Sequence, residues 1–252
     1  IPKLGNSDNE NEDAIELIRL PKKGSGFSVI RCAIADGATQ ASFSKLWAEM
    51  LVRNAINSGH MPAIKRLKAL LDKTYLEWEN EVNEKKLPWF AIEKAKRGAF
   101  SSLLWMSIST SHMSNSGTLR AVSVGDSELL LLRNGMLLKA FPLQTSCEFG
   151  SSPELLSSKL EKNRNVKFEL WITKWDKGDE IILATDAIGK FLLSRFEIGD
   201  NPLEPIRKCL LDNNNSGGFF RDWISELRSN RIIKNDDSTM VWINLYEQTS
   251  NS

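Results

Sequence analysis

Acidic residues recur in this chain at one kind of place. Asn11-Glu12-Asp13 precedes a short apolar stretch, Asp36-Gly37 ends an apolar run, and Gly125-Asp126-Ser127 separates two more. Thr185-Asp186 ends another run, and Asn235-Asp236-Asp237 introduces the last. Each lies where a buried strand gives way to a turn, which is how a fold gathers carboxylates at one edge. Taken singly, each has an ordinary explanation as a turn residue or a cap on backbone N–H groups. Gathered together, they would repel and raise one another's pKa unless a cation balanced them. Ligation by oxygen alone, without histidine or cysteine, points to Mg²⁺ or Mn²⁺ rather than zinc or copper.

Other chemistries find little support in the residues. His60 and His112 sit in no H-x-x-x-H or H-E-x-x-H context and read as surface or core side chains. Cys32, Cys147 and Cys209 are widely spaced with no C-x-x-C pair. Neither a disulfide framework nor a zinc knuckle is expected, and a reducing cytoplasm is the default compartment. The 33 basic and 32 acidic residues nearly cancel, which argues against a protein that coats nucleic acid or an anionic membrane. No apolar run approaches the ~20 residues that span a bilayer, and no signal-peptide pattern leads the chain.

The elements that must position the acids follow from periodicity. Phe27–Ala35 is a β-branched apolar run that reads as a buried strand. Phe43, Leu46, Trp47, Met50, Leu51 and Ala55 then recur at helical spacing, and Ile64, Leu67, Leu71, Thr74, Tyr75 and Trp78 predict a second helix from near Pro62. Pro88 blocks a simple continuation. Strand texture returns at Phe100–Ser109 and Thr118–Val124. Glu128–Arg133 and Met136–Phe141 flank Asn134-Gly135, a hairpin signal because both turn positions take positive φ. The stretch 144–166 reads as a flap-like surface loop. Strands are expected at Lys167–Ile172, Glu180–Ala184 and Thr239–Leu245, and helices at Ile188–Phe196, Leu203–Leu211 and Phe219–Arg228, with Asn213–Gly218 a flexible connector. Hairpin-linked strands with helices inserted in blocks predict an α+β fold with mainly antiparallel sheets, in one domain over 1–252. The absence of G-x-G-x-x-G and G-K-[ST] disfavours dinucleotide and P-loop folds. Trp47, Trp78 and Trp105 lie on apolar faces and are expected in the core, whereas Trp89 is a candidate for a partner surface.

In order, NEDA, IADGA, GAFSSLL, SVGDSELLLLRNG, IILATDAIG and NDDSTMVWI resemble the signature segments of the type-2C (PPM) metal-dependent protein serine/threonine phosphatases, in their small bacterial form. The resemblance spans Glu12 to about Ile243. It rests on the ordered set, since no single segment is specific. It implies a four-layer α-β-β-α sandwich, two antiparallel sheets flanked by helices. It further implies two Mn²⁺ or Mg²⁺ ions, bridged by Asp36, with the Gly37 carbonyl on one and Asp186 and Asp236 completing the other. Glu12 and Asp13 would hold metal-bound waters. Asp36, Asp186 and Asp236 would act in catalysis through the water between the ions, which attacks phosphorus in line. The implied partners are a phosphorylated protein substrate and a serine/threonine kinase, and the implied state is a cytoplasmic monomer.

The pattern departs from the family at three positions. Asp8 stands where many members carry a phosphate-clamping arginine, and Lys3 or the Lys22-Lys23 pair would replace it only without the bidentate fork. Lys190 stands where a second aspartate would build a third metal site with Asp126. Asp126 is therefore a weaker ligand candidate, and Lys190 is a candidate to supply positive charge there. Ala38 replaces the histidine of animal members. The alternative function is a catalytically weak or inactive phosphatase-like module that binds a partner or a phosphorylated segment.

Overall fold

The computed structural model describes residues 1–22, 27–39, 43–85, 89–111, 115–150, 152–211 and 216–245. His112, Lys23 and Pro88 lie outside them. A five-stranded antiparallel sheet runs in the order β1 (Asp13–Lys22), β2 (Phe27–Asp36), β4 (Leu103–Ser111), β5 (Ser116–Val124) and β9 (Glu169–Asp176). A four-stranded sheet runs β11 (Met240–Asn244), β10 (Asp179–Ala184), β6 (Glu128–Arg133) and β7 (Met136–Phe141). A short third pairing joins β3 (Phe100–Ser101) to β8 (Leu156–Ser157).

Period-two alternation builds the layers, because successive strand residues point to opposite faces. Cys32, Ile34, Leu104, Met106 and Ile108 point inward and meet Leu129, Leu131, Ile181, Leu183 and Ile243 of the second sheet. Their neighbours Ala33, Ala35, Leu103 and Trp105 point outward against α1 (Ser44–Asn57) and α2 (Ile64–Glu84). Alanines at 33 and 35 let α1 approach closely enough for Trp47, Ala48 and Ala55 to pack on the sheet. On the far side, Leu130, Leu132, Ile182 and Ala184 carry α4 (Asp186–Glu197), α5 (Glu204–Leu211) and α6 (Ser216–Ser229) through Ile188, Leu192, Ile206 and Ile224. The result is the expected four-layer α-β-β-α sandwich. Among the described residues no helix is long and apolar enough to cross a membrane.

Several local expectations are met and others corrected. Asn134 and Gly135 have φ of 53° and 76°, as the hairpin turn demands. Trp47, Trp78 and Trp105 are fully buried, and Trp89 is 78% exposed. A helix, α3 (Trp89–Lys96), follows Pro88 where none was expected. Its short length gave too few turns for a periodic signal. Ser216–Gly218 belong to the first turn of α6 rather than to a connector.

The 144–166 segment is less of a surface loop than its composition predicts. Its polar residues hide an anchor in which Leu156, Ser157 and Ser158 are buried. The Ser158 N–H donates to the Ala99 carbonyl at 2.9 Å, and the Ser158 hydroxyl accepts from the Ala99 N–H at 2.9 Å. The Trp47 indole N–H donates to the Leu156 carbonyl at 2.9 Å, fastening the segment to α1. Trp47→Ala is expected to cost about 3–5 kcal/mol by urea unfolding through loss of a buried ring. Trp47→Phe, which keeps most of the ring and removes the donor, should cost about 1–3 kcal/mol by leaving the Leu156 carbonyl unpaired.

Candidate metal centre

Asp13 opens β1 and Asp36 closes β2, and the antiparallel register sets them directly opposite each other. Opposite residues share a face. Alternation from Ile34 turns both carboxylates into the gap between the sheets, toward the second sheet. There the Thr185 hydroxyl donates to Asp13 Oδ2 at 3.1 Å. Asp13 Oδ1 is buried with no hydrogen-bond partner.

The backbone around Asp36 is tightly held. Its N–H donates to the Ser102 hydroxyl at 3.0 Å, and its carbonyl accepts from the Ser102 N–H at 2.9 Å and the Ser101 hydroxyl at 2.8 Å. Ser102 and Ser127 share a further hydroxyl bond at 2.7 Å, so the serines of GAFSSLL and GDS form the floor under the acid. Gly37 is required by crowding, since a Cβ there would stand 2.9 Å from the Ser44 backbone and 3.0 Å from the Glu12 carbonyl. Gly125, at φ +93°, lies under Ser102, whose Cβ would be 2.7 Å from an added Cβ.

The remaining acids come from the second sheet and its turns. Asp126 is buried in the turn between β5 and β6. Asp186 begins α4, where a carboxylate meets the positive end of the helix, and its Oδ1 accepts the Ala187 N–H at 2.6 Å. Asp236 lies in the loop before β11, and its neighbour Asp237 has a different task. The Asp237 carboxylate accepts the Lys3 N–H at 2.8 Å and the Glu12 N–H at 2.7 Å, tying the first segment of the chain to the last strand. Arg228 of α6 completes the tie, donating to the carbonyls of Pro2 and Asp236 and to the Ser238 hydroxyl.

Electrostatics records how close the acids stand. Burial, then the charges of Asp13, Asp186, Asp236 and Asp126, push Asp36 well above the usual carboxylate range. Burial lifts Asp13 to about 7 against hydrogen bonds from Thr239 and Thr185, and burial with the Asp186 charge lifts Asp126 to about 6. Asp186 is raised by burial, with Lys234 opposing. Glu12 is raised by burial, offset by Thr39 and Lys3. The next acid along, Glu128, is driven to about 9 by burial beneath Gly189 of α4.

Lys234 was not singled out by the sequence, although it stands two residues from Asp236. Its Nζ is 2.5 Å from Asp236 Oδ2 and 3.7 Å from Asp186 Oδ2. As the side chains stand, no three acidic, histidine or cysteine residues among those described are grouped so as to hold an ion. Lys190 is exposed and forms no ion pair among the described residues, and the Lys234 charge opposes the rise of Asp126. Lys3 Nζ donates to the Thr39 hydroxyl at 3.0 Å and lies 3.7 Å from Glu12, at the rim of the cluster. Asp8 is exposed, and its Oδ1 is 3.9 Å from Arg221 of α6. Arg228 carries no sequence signal, because its role exists only after α6 has docked.

The raised acids fix a pH dependence. Each binds its proton more tightly when folded than when unfolded, where carboxylates titrate near pH 4. Between about pH 4 and pH 7 the folded state therefore holds protons that the unfolded state has released. Stability contributed by these acids is full below pH 4 and falls as pH rises through 7. In chelator, Tm is expected to drop across that window. Asp13→Asn should flatten the drop, measured by thermal unfolding at stepped pH.

No family model matches the chain, and no curated protein sequence matches it. Solved structures do. A bacterial serine phosphatase superposes with a TM-score of 0.58 at 10% identity, over 99% of this chain and 96% of that one. A serine/threonine phosphatase of S. agalactiae gives 0.52 at 14% identity, with 97% of each chain covered. The catalytic domain of the serine/threonine protein phosphatase PstP, solved with two manganese ions, gives 0.52 at 17% identity, over 93% of this chain and 98% of that one. The chain thus shares the fold of the PPM-type serine/threonine phosphatases.

Proposed function

We propose that the chain is a metal-dependent phosphoprotein phosphatase that hydrolyses serine and threonine phosphomonoesters. The observation that carries this reading is that strand register sets Asp13 opposite Asp36 at one end of the sandwich, with Asp186 and Asp236 meeting there on one shared lysine whose charge also reaches Asp36. The donor set is all oxygen, which suits Mg²⁺ or Mn²⁺. The buried, unpartnered Asp13 Oδ1 is an acceptor in want of a donor or a cation. That the PstP domain was solved with two manganese ions adds support for Mn²⁺.

In this reading Asp36, the Gly37 carbonyl, Asp186 and Asp236 would hold two ions, with Glu12 and Asp13 acting through water, and Asp126 would be a weaker candidate for a third. Divalent ions there supply acidity to water and neutralise charge on the phosphoryl oxygens. The chain's own residues orient and select. Ser101, Ser102 and Ser127 fix the position of Asp36, and the Thr185 hydroxyl fixes the rotamer of Asp13. Lys3 offers an ammonium to substrate phosphate at the rim, as a point charge in place of an arginine fork. The thiol of Cys32 is buried and pushed to about 12, so it is no nucleophile, and direct attack of water without a phosphoenzyme fits the side chains available. A phosphorylated protein substrate, a partner kinase and a cytoplasmic setting belong to the same reading.

The Lys234 contact with Asp186 and Asp236 favours a second reading, a regulatory module with weak or no turnover. One assay separates them. With millimolar Mn²⁺ the protein should hydrolyse an aryl phosphate and a phosphopeptide, and chelator should abolish this. Asp36→Asn should reduce turnover by at least about 100-fold, the upper end of what losing a mere outer-shell partner does. Manganese binding by calorimetry without any turnover would select the regulatory module.

A further inference from the structure

The ammonium of Lys234 reaches the aspartates from a loop that is pinned on both sides. Before it, Ile233 is buried in the core under the second sheet. After it, the Asp236 N–H donates to the Lys234 carbonyl at 3.0 Å, and Arg228 grips the Asp236 carbonyl from α6. The backbone therefore fixes where the side chain starts, within reach of both carboxylates. Its Nζ meets Oδ2 of Asp236 at 2.5 Å and lies within ion-pair distance of Oδ2 of Asp186. No other base among the described residues forms an ion pair with either carboxylate.

Those two oxygens belong to the carboxylates that the preceding reading assigns as ligands. An ammonium carries one charge and three donors, satisfies carboxylates without a fixed coordination geometry, and excludes a divalent ion from oxygens it already holds. We propose that Lys234 is a built-in cation of the carboxylate centre, competing with divalent ions for Asp186 and Asp236 and so setting how much metal the centre takes up. The proposal rests on the reading of the cluster as a metal centre. Its functional meaning is a threshold: the centre fills only where divalent ion is abundant enough to displace the lysine, and it discriminates against weakly held ions. Displacement is feasible because the Lys234 side chain is 67% exposed and can swing into water.

Lys234→Met keeps the aliphatic stem and removes the charge, and Lys234→Arg keeps the charge. Manganese titration calorimetry on the whole chain should give Lys234→Met at least a tenfold tighter Mn²⁺ dissociation constant than the parent, with Lys234→Arg close to the parent. In chelator, thermal unfolding should show Lys234→Met less stable than the parent at pH 8, where the acids are most charged. Unchanged or weaker Mn²⁺ binding by Lys234→Met, with the parent binding normally, overturns the proposal and leaves the metal centre standing. Absence of Mn²⁺ binding in the parent and in both variants overturns the metal centre and the proposal together. An Asp36→Asn control that loses binding shows that the heat comes from this cluster.

Discussion

Like charges at the edge of the sandwich repel, and the chain must hold them together against that repulsion. At 4 Å two unit charges interact by about 4 kcal/mol when the surroundings screen moderately, a large term beside the total stability of a domain. The scaffold meets it by constraining backbones rather than by pairing each acid. Asp13 and Asp36 are locked by strand register, and three serines hold the Asp36 segment from below. Asp186 is fixed by the start of a helix and Asp236 by an arginine on its carbonyl. Asp13 Oδ1 is left buried without a partner, and Asp186 and Asp236 turn Oδ2 to one shared lysine, so this edge calls for positive charge.

Asp236 and Asp237 show how neighbouring residues of one type divide the work. Asp237 is nearly buried and spends both oxygens on backbone N–H groups, which is a structural use of a charge in place of a strand or cap. Asp236 spends one oxygen on the next N–H and turns the other to a cation.

Much of this architecture is legible in residue order. Strand and helix texture places β2, β5, β6, β7, β10, α1 and α2: continuous apolar runs mark strands such as β6 and β10 that are buried on both faces, and helical spacing marks α1 and α2. The acids at strand ends are equally plain. What the sequence hides is the pairing of elements distant in the chain. The edge strand β1 mixes Glu16, Arg19 and exposed leucines, so its ten-residue length is set by β2 rather than by its own pattern. The burial of Leu156–Ser158 depends on Trp47 and Ala99, far away in sequence. Lys234 was visible as a residue but its role was not, since only docking of α6 and β10 brings Asp186 beside it. A turn residue can be read from its own segment, whereas a counter-ion is read only from its neighbours in space.

The Glu12 N–H and the Asp237 carboxylate that receives it are 225 residues apart. During synthesis β1 and β2 emerge early, whereas the acceptor that holds Glu12 in place has not yet been made. Local contacts form early and distant ones late. The carboxylate cluster is therefore completed late, because Asp186, Asp236 and the Asp237 that anchors Glu12 all follow β1 and β2 in the chain. The carboxylate edge would mature only once the Asp236–Asp237 segment has docked.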